Sequence, residues 1–315
     1  MVKFIIKRLL WIIPVMIGVV IIVYTVTYYM PGVPSVPRRR VEELGLDKPF
    51  IIQLGRYIWN IVTKFDLGKS YLTNISITQE LARRIPVTLQ LTMISVFSMI
   101  IVGLPLGILS ALKQNSILDV GLTSISLVLA AVPGYVLAIL GAVFFGVLLR
   151  WLPPSGLSTW KSWIMPVVCT SAGSAAIYTR MTRTSMLEII KQDYIRTARA
   201  KGLKDSVVIR KHALRNCLIT LITVIGLSVA SVFSGSLIIE IIFNIQGMGL
   251  YLLDGITMRD YLVINGVAVI ISLLVCFVNL LVDIAYAFID PRIKIQFTSS
   301  KKTSRDVKHL YKIMH

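Results

Sequence analysis

The feature that most restricts this chain is a series of long apolar runs that no charge interrupts. Residues 9–30 contain 22 consecutive positions without Asp, Glu, Lys or Arg, and runs of comparable character occupy 87–112, 120–149, 162–179, 216–239 and 261–282. About 20 residues of helix cross about 30 Å of hydrocarbon, so each run is long enough to span a membrane. The expected fold class is an all-α integral membrane protein with six transmembrane helices. Composition agrees, with 56% hydrophobic and only 15% charged residues, against about a quarter charged in soluble domains.

Charge then sets the orientation. Lys3, Lys7 and Arg8 precede the first run, and the segment has neither a short apolar core nor a small-residue cleavage site, so an uncleaved first span starting in the cytoplasm is expected. The formal net charge of +18 follows from the excess of Lys and Arg in cytoplasmic segments and carries no implication of nucleic acid. Cys169, Cys217 and Cys276 all fall inside apolar runs without a CxxC pair, which supports neither a metal site nor a disulfide framework.

The resulting organisation is an N-terminal transmembrane helix (1–30), an extracytoplasmic insertion (31–86), a five-helix core (87–297) containing a cytoplasmic loop at 187–215, and a cytoplasmic tail (298–315). Both termini are expected in the cytoplasm, with the protein in the cell (inner) membrane. In the insertion, Pro31, Pro34 and Pro37 precede Arg38, Arg39 and Arg40, and Phe50, Leu54, Tyr57, Ile58 and Ile61 share one face of an amphipathic helix. Gly68-Lys69-Ser70 imitates the end of a phosphate-binding loop, but Thr63 stands where its first glycine belongs. Gly103 and Gly107 form a GxxxG that permits close helix approach. Pro133-Gly134 predicts a kink in the third span.

The stretch from Asp193 to Asn216 is the most distinctive. Ile190, Tyr194, Ala198 and Lys201 recur at helical spacing, Gly202 is placed to end the helix in a left-handed conformation, and Asp205 or Ser206 suits the cap of a second helix running through His212. A helix, a sharp turn and a helix, rich in Lys and Arg, read as a docking element at the inner membrane surface.

Here the sequence resembles a known family. Tyr194-Ile195-Arg196-Thr197-Ala198-Arg199-Ala200-Lys201-Gly202, followed by His212-Ala213-Leu214-Arg215-Asn216, is similar to the cytoplasmic loop of binding-protein-dependent ABC importer permeases, in the oligopeptide/dipeptide/nickel branch. The general pattern of that loop is Glu-Ala-Ala, three residues, Gly, nine residues, Ile-x-Leu-Pro. Ala198, Gly202 and Leu214 keep it, while Arg196, Thr197, His212 and Arg215 depart from it in the manner of the peptide branch. Leu44 to Pro49, Asp66 to Ser70, Arg84 to Leu89, Ile239 to Phe243, Gly247-Met248-Gly249, Arg259-Asp260-Tyr261 and Asp290-Pro291-Arg292 extend the resemblance over nearly the whole chain.

The resemblance implies a type I ABC importer permease fold with a short extracytoplasmic insertion after the first helix. It also implies a second homologous permease, two ATP-binding subunits, an extracytoplasmic solute-binding protein, and peptide cargo, with nickel or a metallophore as the alternative. No cofactor is expected on this chain, since ATP and Mg belong to the ATPase subunits, and no catalysis of its own. The coupling residues so implied are Arg196, Thr197, Ala198, Arg199, Lys201, Gly202, Leu203, Lys204, Asp205, His212 and Arg215.

For the pathway, Ser171, Ser174, Tyr178 and Ser185 fall near one face of the fourth span, and Thr220, Thr223, Ser231 and Ser234 near one face of the fifth. They line a wet passage or mediate helix packing, and the residue types fit both. Glu240 and Asp283 are acids near span ends, where a mid-membrane charge is costly, so both must face protein or an interface. Glu240 is read as a pair with a neighbouring subunit or a contact for a peptide amine, and Asp283 as structural. A secondary transporter, the reading from a different class, would show internal repeats and several intramembrane ionisable sites; here only Glu240 and Asp283 qualify, and no repeat is apparent. Haem ligation fails because His212, His309 and His315 all lie in cytoplasmic segments.

Overall fold

The computed structural model describes residues 2–30 and 47–289. The proline-rich bend, Arg38 to Arg40, Leu44 to Leu46, Asp290-Pro291-Arg292 and the basic tail lie outside the described residues. The helices in chain order are α1 (Val2–Tyr28), α2 (Phe50–Lys64), α3 (Ile77–Leu112), α4 (Ile117–Ala131), α5 (Gly134–Leu148), α6 (Ile164–Ile190), α7 (Asp193–Ala200), α8 (Leu214–Ile242), α9 (Met248–Thr257) and α10 (Tyr261–Ile289). Among the described residues the only β pairing is an isolated bridge between Lys69 and Ser76.

Among the described residues four helices are long and apolar enough to cross a membrane: α1, α3, α8 and α10. α4 and α5 together are long and apolar enough for a fifth, as a bent pair turning by 96° at Val132-Pro133. Proline forces the preceding residue out of the helical region, and Val132 accordingly adopts ψ 123°. The expected kink is therefore a break. α6, the sixth expected span, has 27 residues, enough length at 1.5 Å per residue, but is too polar to qualify by composition. Its position explains this: α6 packs against α3, α4, α5 and α8, so most of its serines and threonines, Thr184 excepted, meet protein rather than lipid.

Several boundaries differ from the sequence expectation. α3 starts at Ile77, inside the expected insertion, and carries Pro86 within it. α6 does not stop at Thr179 but continues through Arg180 and Arg183 to Ile190, because helix hydrogen bonding does not end where the lipid does. The second helix of the elbow is a short turn, Asp205–Val207, followed by a π-helical turn, Val208–Ala213, that runs directly into α8. Its N-cap is Lys204 rather than Asp205 or Ser206.

The GxxxG of α3 does what small residues permit. A Cβ on Gly107 would stand 2.5 Å from the Thr179 carbonyl oxygen, and one on Gly103 would stand 2.9 Å from the Tyr178 ring. α3 and α6 therefore meet backbone to backbone along this stripe. Three apolar clusters complete the bundle. One joins α3, α6, α7 and α8 around Tyr178, Met186, Ile195 and Leu221. A second joins α1, α2, α3, α8, α9 and α10 around Tyr24, Tyr57, Phe233 and Val267. The third lies around Leu91, Ala138, Met165 and Phe243. The shared apolar face expected of the insertion helix is the one that packs, with Tyr57 buried and Phe50, Leu54, Ile58 and Ile61 partly buried beside it.

Candidate functional site

The elbow is built from its backbone upward. α7 ends at Ala200, Lys201 caps it, and Gly202 takes φ +76°. The Gly202 N–H donates to the Arg199 carbonyl at 2.9 Å and the Leu203 N–H donates to the Ala198 carbonyl at 3.4 Å. This pair of bonds is the Schellman closure, which needs a left-handed residue at the position Gly202 holds. Nothing lies within 4 Å of the place a Cβ on Gly202 would occupy, so the glycine is required by backbone conformation and not by crowding.

The elbow has two faces. Ile195 and Ala198 are buried with Met186, Ala111, Val208 and Ala213, which fixes α7 to the ends of α3, α6 and α8. Tyr194 adds a tie across the turn, its hydroxyl accepting from Asn216 Nδ2 at 3.0 Å. The other face is open: Arg196, Thr197, Arg199, Lys201, Gly202, Leu203, Lys204, Asp205 and Arg215 are exposed, and His212 is half-buried. Arg199 Nε meets Asp205 at 3.1 Å across the turn and Arg196 approaches Asp193 at 4.0 Å, exposed pairs worth well under about 1 kcal/mol each. Lys201 and Lys204 make no ion pair among the described residues. The arrangement presents a cationic surface with Leu203 and Val207 at its centre, held rigidly on the bundle.

One anchoring group behind the elbow gave no signal that was followed in the sequence. Asp119, on the first turn of α4, is 2% exposed and accepts from Arg183 Nε and Nη2 of α6 at 2.7 Å each. The Asn115 N–H donates at 2.9 Å and Ser110 Oγ also donates, so both carboxylate oxygens are saturated. Ser116 caps α4 by accepting from the Asp119 N–H at 3.3 Å, and the Ser-x-x-Asp spacing before an apolar run was the available clue. The pair pins the bent span to the helix that carries the elbow.

The pathway residues separate. Ser171, Tyr178 and Ser185 are buried inside the bundle, Ser174 is half-buried, and Ser231 and Ser234 are exposed. Tyr178 is 0% exposed, packed against Gly103. Thr220 and Thr223 lie on α8, and their side chains fall outside the described residues. Asp283 pairs with Arg8, the structural role expected of it.

Glu240 is also 0% exposed. Its Oε2 accepts from the Gly249 N–H at 2.7 Å, at the first turn of α9, where the helix dipole favours an anion. A Cβ on Gly247 would strike the Glu240 carboxylate, and one on Gly249 would strike the Leu237 backbone. The Gly-Met-Gly turn thus closes over the acid, which holds an element of its own chain through Oε2. Glu240→Ala should lower stability by about 1–3 kcal/mol, the cost of an orphaned buried N–H, with Glu240→Gln nearer the parent in thermal unfolding of purified protein. Equal melting of all three would show that the bond to Gly249 contributes nothing.

At the end of the bundle remote from the elbow, Glu80 pairs with Arg84 at 2.9 Å, and the guanidinium lies 4.5 Å over the Tyr251 ring. Burial pushes the Tyr251 phenol up to about 12, so this contact is between a cation and a neutral ring. Ser70, Asp254 and Asp260 join them around a cavity of about 200 Å³.

A polytopic helical bundle with a rigid cationic elbow is the layout of a transport permease. The chain belongs to the family of binding-protein-dependent transport system inner membrane components, whose pattern matches residues 103–295. It is 37% identical over 314 residues to a putative peptide transport system permease protein of Brucella abortus (strain 2308), covering 93% of this chain and 99% of that one. It is 38% identical over 306 residues to the glutathione transport system permease protein of Pectobacterium atrosepticum, covering 93% and 99%. The dipeptide transport system permease protein of Bacillus subtilis (strain 168) is 38% identical over 312 residues, covering 94% and 99%. In fold the chain is similar to a chain of the inward-facing MetNI methionine ABC transporter, with a TM-score of 0.58, 21% identity, and coverage of 67% of this chain and 97% of that one. It is thus a multi-pass inner membrane permease component of an ABC importer, and the secondary-transporter reading falls.

Proposed function

We propose that this chain is one of two permease subunits that together enclose a path for peptides, with two ATP-binding subunits seated on the elbow and an extracytoplasmic solute-binding protein supplying cargo. ATP and Mg act on the ATPase subunits, and this chain contributes no bond chemistry. The termini and the elbow then lie in the cytoplasm, and the Arg84 and Glu240 end of the bundle faces outward. Peptides are favoured over nickel because relatives that match nearly the full chain are named for peptide, dipeptide or glutathione transport.

The observation that carries this reading is the two-faced elbow. Ile195 and Ala198 are locked into the bundle while Leu203, Val207, Lys201 and Lys204 are displayed. A surface that only marked topology would have no need of a rigid mount. A push on the displayed face passes through α7 to α6 and α8, so a partner that closes and opens can shift the bundle between two states. The test is a disulfide cross-link from Leu203→Cys to a cysteine placed in the ATPase groove of the assembled transporter. Cys169 and Cys217 are buried and do not compete. A cross-link whose yield changes with added ATP is expected; its absence at every groove position would refute docking at this surface.

A further inference from the structure

α2 is apolar on two faces, and only one of them is used by the fold. Phe50, Leu54, Tyr57, Ile58 and Ile61 pack inward. On the adjoining stripe Ile51 is 79%, Trp59 66% and Val62 65% exposed, with Ile52 beside them and Phe65 at the end of the helix. A contiguous exposed stripe of this kind on a folded protein marks a surface made to be covered. Arg56 and Lys64 are exposed along the polar strip that borders the apolar surface, Asn60 lies between them, and α2 carries no acidic residue.

What covers the stripe follows from where α2 lies. Phe50 packs on Tyr28 at 5.0 Å, Tyr29 at 6.2 Å and Tyr24 at 6.1 Å between ring centroids, whereas Tyr57, two turns further along α2, packs on Tyr24 at 5.3 Å. As α2 advances, its contacts therefore move back along α1, away from the end of that span. The Tyr24 hydroxyl, donating to Gln53 Oε1 at 3.2 Å, fixes the same register. α2 thus runs back beside the last turns of a membrane-crossing helix, at the depth where a bilayer passes from headgroup to acyl chain. The aromatic side chains Tyr24, Tyr28, Tyr29, Phe50, Tyr57 and Trp59 collect at that level, as interfacial belts do. On α1 itself Ile21, Ile22 and Val26 are likewise exposed, and Arg56 and Lys64 flank the stripe in the positions that phospholipid phosphates would meet.

We infer that α2 is an interfacial helix, which inserts Ile51, Trp59 and Val62 into the leaflet opposite the elbow and sets Arg56 and Lys64 against its phosphates. The occupant of the stripe is phospholipid, not a docking protein. The insertion is thereby tied to the membrane as well as to the bundle, and α1, which contacts the bundle chiefly through α10 and α2, is held from both sides at that end.

The experiment is nitroxide labelling of Val62→Cys and, separately, Lys64→Cys, with Cys276→Ser in both, in full-length protein reconstituted in phosphatidylcholine and phosphatidylglycerol vesicles and again in the assembled transporter. Oxygen, which partitions into lipid, should broaden the Val62 label strongly while a water-soluble nickel chelate should not; the Lys64 label should show the reverse. Equal chelate accessibility at the two positions would place the stripe in water and overturn the inference. A Val62 label immobilised and reached by neither reagent would show a protein partner on the stripe and overturn it as well. As an independent reading, Trp59 in a chain with Trp11, Trp151, Trp160 and Trp163 changed to Phe should lose most of its emission in vesicles of lipid brominated high on the acyl chain and little of it to aqueous iodide. Quenching by iodide alone would count against insertion. Neither outcome bears on transport, since uptake by the labelled transporter is measured separately and is expected to be unchanged.

Discussion

Gly202→Glu is expected to leave the protein inserted and folded while abolishing ATP-driven uptake. The site tolerates the bulk, because nothing lies within 4 Å of the new Cβ. The cost to the fold is conformational: a left-handed residue with a Cβ loses roughly 1–2 kcal/mol, which a bundle of this size absorbs. The cost to coupling is larger in consequence. A carboxylate would sit among Arg199, Lys201 and Lys204, draw those cations onto itself, and place a side chain at the apex of the surface that must enter a partner groove. Gly202→Asn separates the two effects, since Asn adopts the left-handed region at little cost and adds no charge. Reconstituted vesicles containing the partner subunits, ATP and labelled peptide give the measurement. Gly202→Asn should retain most of the uptake and Gly202→Glu none; normal uptake by the glutamate variant would refute the coupling role of the elbow.

Asp119→Ala should destabilise the protein by about 3 kcal/mol, at the lower end of the range for breaking a buried pair. The carboxylate side chain is 3% exposed and the guanidinium 25%, so the remaining Arg183 charge recovers some hydration but not all of it. Four donors lose their acceptor at once: Arg183 Nε and Nη2, the Asn115 N–H and Ser110 Oγ. Arg183→Met in the same chain should restore part of the loss, because the neutral side chain keeps much of the volume and removes the stranded charge. Thermal unfolding of the two single variants and the double variant in detergent yields the coupling between the positions. Strictly additive losses would show that the pair acts as two independent groups. The variant should also hydrolyse ATP without matching uptake, since α4 and the elbow-bearing α6 would no longer move as one.

The parts of this protein that were legible in the sequence are those whose cause is local. An uninterrupted apolar run identifies a span because the lipid acts on each residue separately, and Gly202 announces the turn because left-handed backbone is a property of a single position. The apolar face of α2 that packs was visible for the same reason, as a helical period within 15 residues. α6 shows the limit of that logic: composition understates it as a span, because its polarity is tolerated only where α3, α4, α5 and α8 surround it.

The sequence by itself determined that the chain must live in a membrane and that a cationic helix, glycine and helix would stand at one end. Tertiary structure alone decided that Asp119 meets Arg183 across 64 residues, that Glu240 turns inward to hold Gly249, that Tyr178 is sealed against Gly103, and that α2 leaves a second apolar stripe uncovered. The division has a physical cause. Transfer from water to lipid is summed along the chain, residue by residue, and so can be read in order. The partner of a buried charge is set by how helices pack, where two crowded glycines or a 96° break bring together groups that the sequence keeps far apart.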